Sequence, residues 1–445
     1  MAKICMIGTG YIGLVTGTLF ADRGNKVICV DKNPNVVDLL NNGKIHIYEP
    51  GLEELVEKNT KEGRLKFTGD IISAVENSDI IFLGVNTPSD KDGSFNLEYL
   101  FQAAKDVGKA LQKASGYKIV VGKSTVPQGT FKLITEIINS EIGNNPNLKW
   151  DYVSNPETLA EGTAVRDFAK PDRIIIGTKS DRAFEVMEDL YHPFNITNDR
   201  VIRGSPTDAE LAKLMSNTAL ATRVAMVNEF ARIADVTEDA DMNTIRIMVC
   251  EDQRIGYKFM FPSPGYGGSC FPKDIQGIVE QSKKDGYNPL LLNSIHKSNE
   301  LHKEYLGKRI AKILSKIKNP KIGILGITFK PNTDDMRDAA SVPIINKLLD
   351  IGAKISVYDP KDEKAREIFA NKIQFMDNQN DVAKDADALI LMTEWKIFDS
   401  QDFEKLKSDM KGNYIFDLRN RWLANKVNEK GFNYYGVGRN YELKK

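Results

Sequence analysis

The sharpest chemistry in this chain is a thiol at the end of a glycine-rich run, Gly265-Tyr266-Gly267-Gly268-Ser269-Cys270-Phe271-Pro272-Lys273-Asp274. Three glycines let a backbone pass close to a bulky ligand, Pro272 suits a first helical position, and Ile275 to Gln281 reads as helix. A thiolate at Cys270 would face unpaired helical N–H groups, an arrangement that pulls a cysteine pKa from about 8.5 toward roughly 3.5 to 7.5. The spacing therefore points to a nucleophile, against the plainer alternative of a small buried cysteine beside a tight turn. Upstream, Lys213 and Asn217 stand four residues apart on a helical pattern, on one face and able to share a ligand.

A second constellation opens the chain. Lys3 to Ile7 is a short apolar strand, Gly8-Thr9-Gly10-Tyr11-Ile12-Gly13 follows at once, a helix runs to about Arg23, and Val27 to Val30 is a strand ending at Asp31. This is the dinucleotide fingerprint in its strand, turn, helix, strand context. The first glycine makes the turn, the second admits a pyrophosphate, the third lets helix pack on strand, and Asp31 accepts from ribose hydroxyls. An acid at that position repels a 2′-phosphate, so the expected cofactor is NAD; Lys32 stands next to it.

The elements that must position these groups alternate. Strands are expected at Ile80 to Val85, Lys118 to Gly122, Asp151 to Ser154 and Arg173 to Gly177, extending the first unit into a doubly wound sheet. The loops after them, Val85-Asn86-Thr87-Pro88, Ser124-Thr125-Val126-Pro127 and Asn155 through Gly162 with Glu157, Leu159 and Glu161, lie at carboxyl ends, where such sheets bind ligands. From about Thr207 to Val236 the pattern becomes a long helix without glycine or proline, of the kind that bridges domains or builds a dimer. A shorter helix, Met242 to Cys250, leads to Asp252-Gln253-Arg254 and the cysteine loop. Lys321 to Ile327 begins a second strand, turn, helix, strand unit that ends at Val357-Tyr358-Asp359, lacks the third glycine, and is expected to cradle a different nucleotide; further strands are Ala386 to Thr393 and Asn413 to Asp417, with Arg419 after the last. The fold expected is α/β, two Rossmann-like doubly wound domains joined by a long central helix: 1–200 for NAD, 201–300 for the helical connection and cysteine loop, and 301–445 for the second nucleotide.

Composition narrows the function. Lys plus Arg and Asp plus Glu number 61 each, so no net field favours nucleic acid or an anionic membrane. No basic segment with an apolar signal region opens the sequence and no apolar run approaches the roughly 18 residues of a membrane span, so a soluble cytoplasmic protein is expected. Four cysteines without CxxC spacing and four histidines indicate neither a disulfide framework nor a metal site; Cys5 and Cys29 read as core.

Taken together, these residues resemble the UDP-glucose 6-dehydrogenase family, within the nucleotide-sugar dehydrogenases that include GDP-mannose and UDP-N-acetylmannosaminuronate-forming enzymes. The resemblance runs end to end through Tyr48-Glu49-Pro50-Gly51-Leu52, Ser124 to Pro127, Asn155-Pro156-Glu157, Glu161-Gly162-Thr163-Ala164, Gly265 to Asp274, Phe329-Lys330-Pro331-Asn332-Thr333-Asp334-Asp335 with Arg337, and Tyr434-Tyr435-Gly436. Phe259-Met260-Phe261-Pro262-Ser263 is closest to the UDP-glucose enzymes.

The resemblance implies oxidation of a sugar C6 alcohol to a carboxylate with two NAD reduced, through a thiohemiacetal and thioester on Cys270. It assigns Lys213 and Asn217 to the oxyanion, Asp274 and Thr125 to water and proton transfer, and Glu157 to acid/base work in thioester hydrolysis. Glu161 and Arg337 would meet the cofactor. Phe329, Lys330 and Arg419 would meet the UDP-sugar together with the loop from Phe261 and Ser263 to Gly265, Tyr266 and Gly267. Arg254 would reach the neighbouring site of a homodimer. The base for the first alcohol proton stays open among Lys213, Asp274 and a bound water. Two positions depart from the family pattern: Val36 stands where a basic residue often meets the adenosine end, so that Lys32 is the nearby substitute, and Leu418 replaces a glycine before Arg419. Alternatives are the same chemistry on GDP-mannose or UDP-N-acetylmannosamine and, in another class, a silent nucleotide-sugar binder.

Overall fold

The computed structural model describes residues 1–195 and 200–439. They form two compact units, one within 1–216 with 280–285, the other of 217–279 with 286–439. The first unit is built on eight strands, β1 (Lys3–Ile7), β2 (Lys26–Val30), β3 (Leu65–Thr68), β4 (Ile80–Leu83), β5 (Gly116–Gly122), β6 (Leu148–Ser154), β7 (Ile174–Gly177) and β8 (Val201–Gly204), ordered β3-β2-β1-β4-β5-β6-β7-β8. The order reverses at β1, whose neighbours β2 and β4 both run parallel to it. β7 meets β6 antiparallel through the single pair Ser154 and Gly177, so only that junction departs from a parallel sheet.

Why these segments are strands is visible in their burial. Along β1, Ile4 and Met6 enter one core with Val27, Cys29, Ile80 and Phe82, while Cys5 and Ile7 enter another with Val30, Ile81 and Leu83. Successive side chains point to opposite faces, and both faces are covered by helices, so the buried positions of β1 are all apolar. Burial pushes the Cys29 thiol up to about 12 and Cys5 higher still, in keeping with their core reading.

The second unit carries β9 (Lys321–Leu325), β10 (Lys354–Tyr358), β11 (Gln374–Phe375), β12 (Ala388–Leu391), β13 (Tyr414–Asp417) and β14 (Asn433–Gly436), all parallel in the order β11-β10-β9-β12-β13-β14. Its two cores divide the strands in the same manner: Ile322, Ile324 and Ile390 face one way, Leu325, Leu389 and Leu391 the other. One expected feature is corrected here. The turn after β9 does not lead straight into a helix; residues 326–340 form a loop, and the helix begins only at Ser341. Pro331, with the polar stretch after it, explains the delay, since the residue before a proline is biased away from helix.

The helix Pro206–Asp235 joins the units, its 30 residues spanning roughly 45 Å. Two more helices matter for function, Phe271–Lys284 and Leu290–Ile313. Among the described residues no helix is long and apolar enough to cross a membrane.

Candidate active site

In the first unit the fingerprint turn is a cradle for a dinucleotide. Gly8 has φ +93° and donates to the Val30 carbonyl at 2.8 Å, and a Cβ on it would lie 2.9 Å from the Gly84 carbonyl. A Cβ on Gly13 would lie 2.0 Å from the Gly8 carbonyl, so the third glycine lets the helix Tyr11–Asp22 close on the strand. Gly10 sits at the N-cap, where a Cβ would come 3.2 Å from Asn86 Oδ1. Bare backbone at a helix N-terminus, with Ile12 in its first turn, fits a pyrophosphate. Asp31 is shaped by the turn: Oδ2 accepts from the Thr9 N–H at 3.2 Å and hydroxyl at 2.5 Å, Oδ1 from the Asn33 N–H at 3.0 Å. Lys32 lies over the Tyr99 ring, 4.6 Å from its centroid. Val36 packs on the unit's core.

The other sheet-end loops are tied to this turn. Thr87 donates from its hydroxyl to the Thr125 carbonyl at 2.8 Å, and Ser124 to the Val85 carbonyl at 2.5 Å, which fixes the two loops, Pro88 included, against one another. The Tyr11 hydroxyl donates to Glu49, and the same carboxylate accepts from the Gly162 N–H at 2.7 Å. Tyr48-Glu49-Pro50 thus links the fingerprint to the segment of Glu161.

Glu157 and Lys213 form a buried ion pair, Nζ to Oε1 2.5 Å, and the Leu159 N–H donates to Glu157 Oε2 at 2.5 Å. The cation and the backbone donor together supply partners to both oxygens of a carboxylate buried away from water. Sequence reasoning missed Lys123, which is buried close by. Burial lowers its pKa to about 7, with Glu157 opposing that shift and Lys213 adding to it. The one signal was a lysine directly following the buried strand β5.

In the second unit Cys270 stands immediately before the helix Phe271–Lys284, its carbonyl accepting from the Asp274 N–H at 2.8 Å. Phe271, not Pro272, takes the first helical position; proline is accommodated equally well at the second, where the N–H has no intrahelical acceptor. The Ser269 hydroxyl lies 3.5 Å from Cys270 Sγ. Asp274 is buried between Lys273 Nζ, 2.6 Å from Oδ1, and Asn217 Nδ2, 2.6 Å from Oδ2. Lys213 and Asn217 therefore each have a carboxylate partner within their own unit, Glu157 for one and Asp274 for the other.

The glycines of the cysteine loop are required by the packing of the protein itself. A Cβ on Gly265 would lie 2.9 Å from Asn299 Oδ1, on Gly267 2.4 Å from the Asp338 carbonyl, and on Gly268 2.8 Å from the Phe329 ring. The protein itself fills that space. Asn299 clamps the Tyr266 peptide, accepting its N–H at 2.9 Å and donating to its carbonyl at 3.0 Å, and Gly268 donates to the Arg337 carbonyl at 2.8 Å. The loop of residues 326–340 is thereby the bed on which the cysteine loop lies. Ser263 is held by Asn228 at 2.9 Å, and Phe261 is half exposed with the Arg246 guanidinium 4.3 Å from its ring centroid.

The remaining cations differ in how they are held. Arg419 is largely buried, donating to the Met392 carbonyl at 2.8 Å and the Phe329 carbonyl at 3.2 Å and paired with Glu394 at 2.8 Å; Leu418 beside it belongs to the core. Lys330 Nζ lies 5.3 Å from the Phe329 ring centroid. Arg337 is paired with Asp335 at 2.7 Å and is mostly exposed, while Arg254, with a side chain 90% exposed, is forked onto Asp252 two residues back.

Three models of one family cover the chain: the UDP-glucose/GDP-mannose dehydrogenase NAD binding domain at residues 2–195, the central domain at 207–301 and the UDP binding domain at 323–424. The chain is 41% identical to a UDP-glucose 6-dehydrogenase of Rhizobium meliloti (strain 1021), over 98% of this chain and 99% of that one. It superposes on a UDP-glucose dehydrogenase of Pyrobaculum islandicum with TM-score 0.90 at 33% identity, covering 99% and 98% of the two chains, and on a UDP-D-ManNAc dehydrogenase of Pyrococcus horikoshii with TM-score 0.85 at 27% identity, covering 98% and 99%. With a dinucleotide cradle at one end and the family's UDP binding domain at the other, the chain belongs to the UDP-glucose/GDP-mannose dehydrogenase family of NAD-dependent oxidoreductases.

Proposed function

We propose that the chain oxidises carbon 6 of UDP-glucose to the carboxylate of UDP-glucuronate, with Cys270 as the covalent nucleophile. The observation that carries this reading is the thiol at the mouth of the helix Phe271–Lys284, with the buried Asp274–Asn217 hydrogen bond one turn on. NAD, held by Gly8, Gly10, Tyr11, Ile12, Gly13 and Asp31 with the Thr87-Pro88 and Thr125 loops, Glu161 and Arg337, supplies the acceptor for each of two hydrides. The first oxidation leaves an aldehyde, which has no second hydride to give until a nucleophile adds. Cys270 sulfur bonds to that carbon and its proton passes to the new hydroxyl, giving a thiohemiacetal; loss of the C6 hydrogen as hydride and of the hydroxyl proton leaves a thioester. Water then adds to the thioester, the carbon–sulfur bond breaks, and the thiol is regenerated with the uronate.

The side chains divide this work. Lys213 and Asn217 stabilise the oxyanion at C6, a contribution of several kcal/mol for donors in a dry site. Glu157 takes a proton from the attacking water, and Asp274 and Thr125 orient that water. Phe329, Lys330 and Arg419 hold the nucleotide, with Leu159 and the loop from Phe261 to Gly267 against the sugar. A sugar bound for attack by Cys270 should protect that thiol from alkylation. The division into 1–200, 201–300 and 301–445 follows these three tasks, and a cytoplasmic location goes with its two soluble substrates.

A homodimer belongs to the same reading. Met226, Phe230, Ile233 and Val236 expose apolar surface along the end of the long helix, and contiguous surface of that kind marks an interface. Arg254, exposed on its Asp252 fork, would reach the neighbouring site. The likeness to the Pyrococcus horikoshii UDP-D-ManNAc dehydrogenase supports a second reading, the same chemistry on UDP-N-acetylmannosamine. A substrate panel followed by NADH absorbance separates the two. Cys270→Ser decides the mechanism: turnover is expected to fall at least about a thousandfold with NAD binding retained. Uronate formed at the wild-type rate by that variant, or one NADH per sugar from the wild type, would overturn the scheme.

A further inference from the structure

Behind the Glu157–Lys213 pair lies a second buried lysine that the scheme above leaves idle. Lys123, 4% exposed, directly follows β5 and precedes Thr125 by two residues. Its Nζ donates to Asn155 Oδ1 at 3.0 Å and to the Tyr191 hydroxyl at 3.2 Å. Tyr191 donates to the same Asn155 oxygen at 2.6 Å, and Asn155 Nδ2 donates to the Ile175 carbonyl at 2.7 Å. Asn155 opens the Asn155-Pro156-Glu157 turn, so this closed set of hydrogen bonds ends two residues from the carboxylate. A cavity of about 20 Å³, room for one water, is lined by Lys123, Asn155, Tyr191, Arg173 and Leu159, whose N–H donates to Glu157.

The charged and titratable groups around Lys123 come from four elements. Glu157 faces it from the loop after β6 and Lys213 from the long helix; Arg173, before β7, lines the cavity and donates to the Ser216 hydroxyl at 3.0 Å. The Tyr191 phenol, from the helix Asp181–Tyr191, is pushed up by burial and stays neutral. Burial brings Lys123 down to about 7, so it changes charge in the neutral range.

We propose that Lys123 is a positioning residue for the Glu157–Lys213 pair: it holds the Asn155-Pro156-Glu157 turn and keeps a second cation, exchangeable through the cavity, beside the carboxylate. The proposal rests on the hydrolytic role given to Glu157 above. When protonated, Lys123 competes with Lys213 for Glu157 and opposes the charge on Lys213. When neutral, it leaves Glu157 to Lys213 alone, with Lys213 available to the oxyanion. Turnover therefore rises as pH rises through neutrality.

The test is kcat and KM of the full chain with UDP-glucose and NAD across about pH 6 to 9, for wild type, Lys123→Met, Tyr191→Phe and Glu157→Gln, with melting temperatures alongside. Lys123→Met is expected to flatten the acid limb while KM for NAD stays within about twofold. Tyr191→Phe removes an acceptor from the ammonium and should move the limb to lower pH. A limb in Lys123→Met that coincides with the wild type overturns the proposal, as does a variant that only melts earlier and slows equally at every pH. Should Lys123→Met fail to fold, an unmoved limb in Tyr191→Phe overturns it. Full turnover in Glu157→Gln would sink the Glu157 reading instead, whereas loss there beside an unchanged Lys123→Met limb rejects Lys123 alone.

Discussion

The turn after β1 and the turn after β9 are the same backbone put to different use. In both a glycine follows the strand with positive φ, +93° at Gly8 and +82° at Gly326, and donates at 2.8 Å to the last residue of the neighbouring strand, Val30 or Tyr358. In both the neighbouring strand is followed by an aspartate whose Oδ1 accepts from the N–H two residues on, Asn33 or Lys361. They diverge at the second glycine. Gly10 leaves open backbone at a helix N-terminus, whereas its counterpart Thr328 turns its N–H and hydroxyl onto Asp359 Oδ2, which also accepts from the Ile327 N–H at 2.7 Å and from Trp395 Nε1 at 3.1 Å. Asp359 is 4% exposed and its second oxygen has four protein donors; Asp31 Oδ2 has two, both from Thr9. One side chain and one indole convert a cofactor cradle into a self-satisfied turn, which teaches that the repeated topology by itself does not specify a dinucleotide.

The harshest way to break the comparison is to fill both turns. Gly13→Val puts side-chain atoms where the Gly8 carbonyl lies, and NAD affinity is expected to fall at least about a hundredfold, roughly 2.7 kcal/mol, in a fluorescence titration. Gly326→Val, whose Cβ would meet Thr393 at 2.5 Å, should cost about 2 to 4 kcal/mol in chemical denaturation, with NAD affinity of the folded fraction within about twofold. Equal losses of NAD affinity in the two variants would mean that the second turn also serves the cofactor.

The paired aspartates sharpen the same contrast at smaller scale. Asp31→Asn should weaken NAD about tenfold or more and narrow the preference over NADP, since hydrogen bonds to a charged acceptor are worth about 1.5 to 3 kcal/mol. Asp359→Asn sets an amide N–H₂ against donors that already crowd that oxygen, so stability should drop by about 2 to 3 kcal/mol with cofactor binding unchanged. A cofactor defect in Asp359→Asn matching that of Asp31→Asn would erase the distinction.

What the sequence disclosed follows the range of the forces involved. The β1 to Asp31 unit was legible because its signals are local: a strand buried on both faces, glycines at fixed spacing, an acid at the next strand's end. The long helix was placed within one residue of its ends for the same reason. Strands β3, β8, β11 and β14 escaped because none carries the continuous apolar run that marks β4 and β12 at the same or greater length; β11 has two residues and β8 is only half buried. Lys123 escaped because its surroundings are set by Asn155 and Tyr191, 32 and 68 residues away, and a lysine by type reads as solvated. The glycines of the cysteine loop were read as letting the backbone approach a ligand; that Asn299, Asp338 and Phe329 take the room beside them was not legible, since these are 34, 71 and 61 residues from their glycines and beyond any local pattern.

The finest difference between the two turns is the residue after each aspartate, Lys32 in one and Pro360 in the other. Pro360 offers no charge and no N–H, in line with a turn that needs no ligand. Lys32 carries a cation, but its ammonium lies over Tyr99, where a cation–π contact at an exposed site is worth about 0.5 to 1 kcal/mol. If that contact holds Lys32 aside from the adenosine ribose, Lys32→Ala should change NAD affinity less than about threefold and lower the residual affinity for NADP, whose 2′-phosphate alone would draw the cation across. A tenfold loss of NAD affinity with no change for NADP would instead make Lys32 a true stand-in for the basic residue that Val36 replaces, and would place the adenosine end of the cofactor under the control of both residues that follow β2.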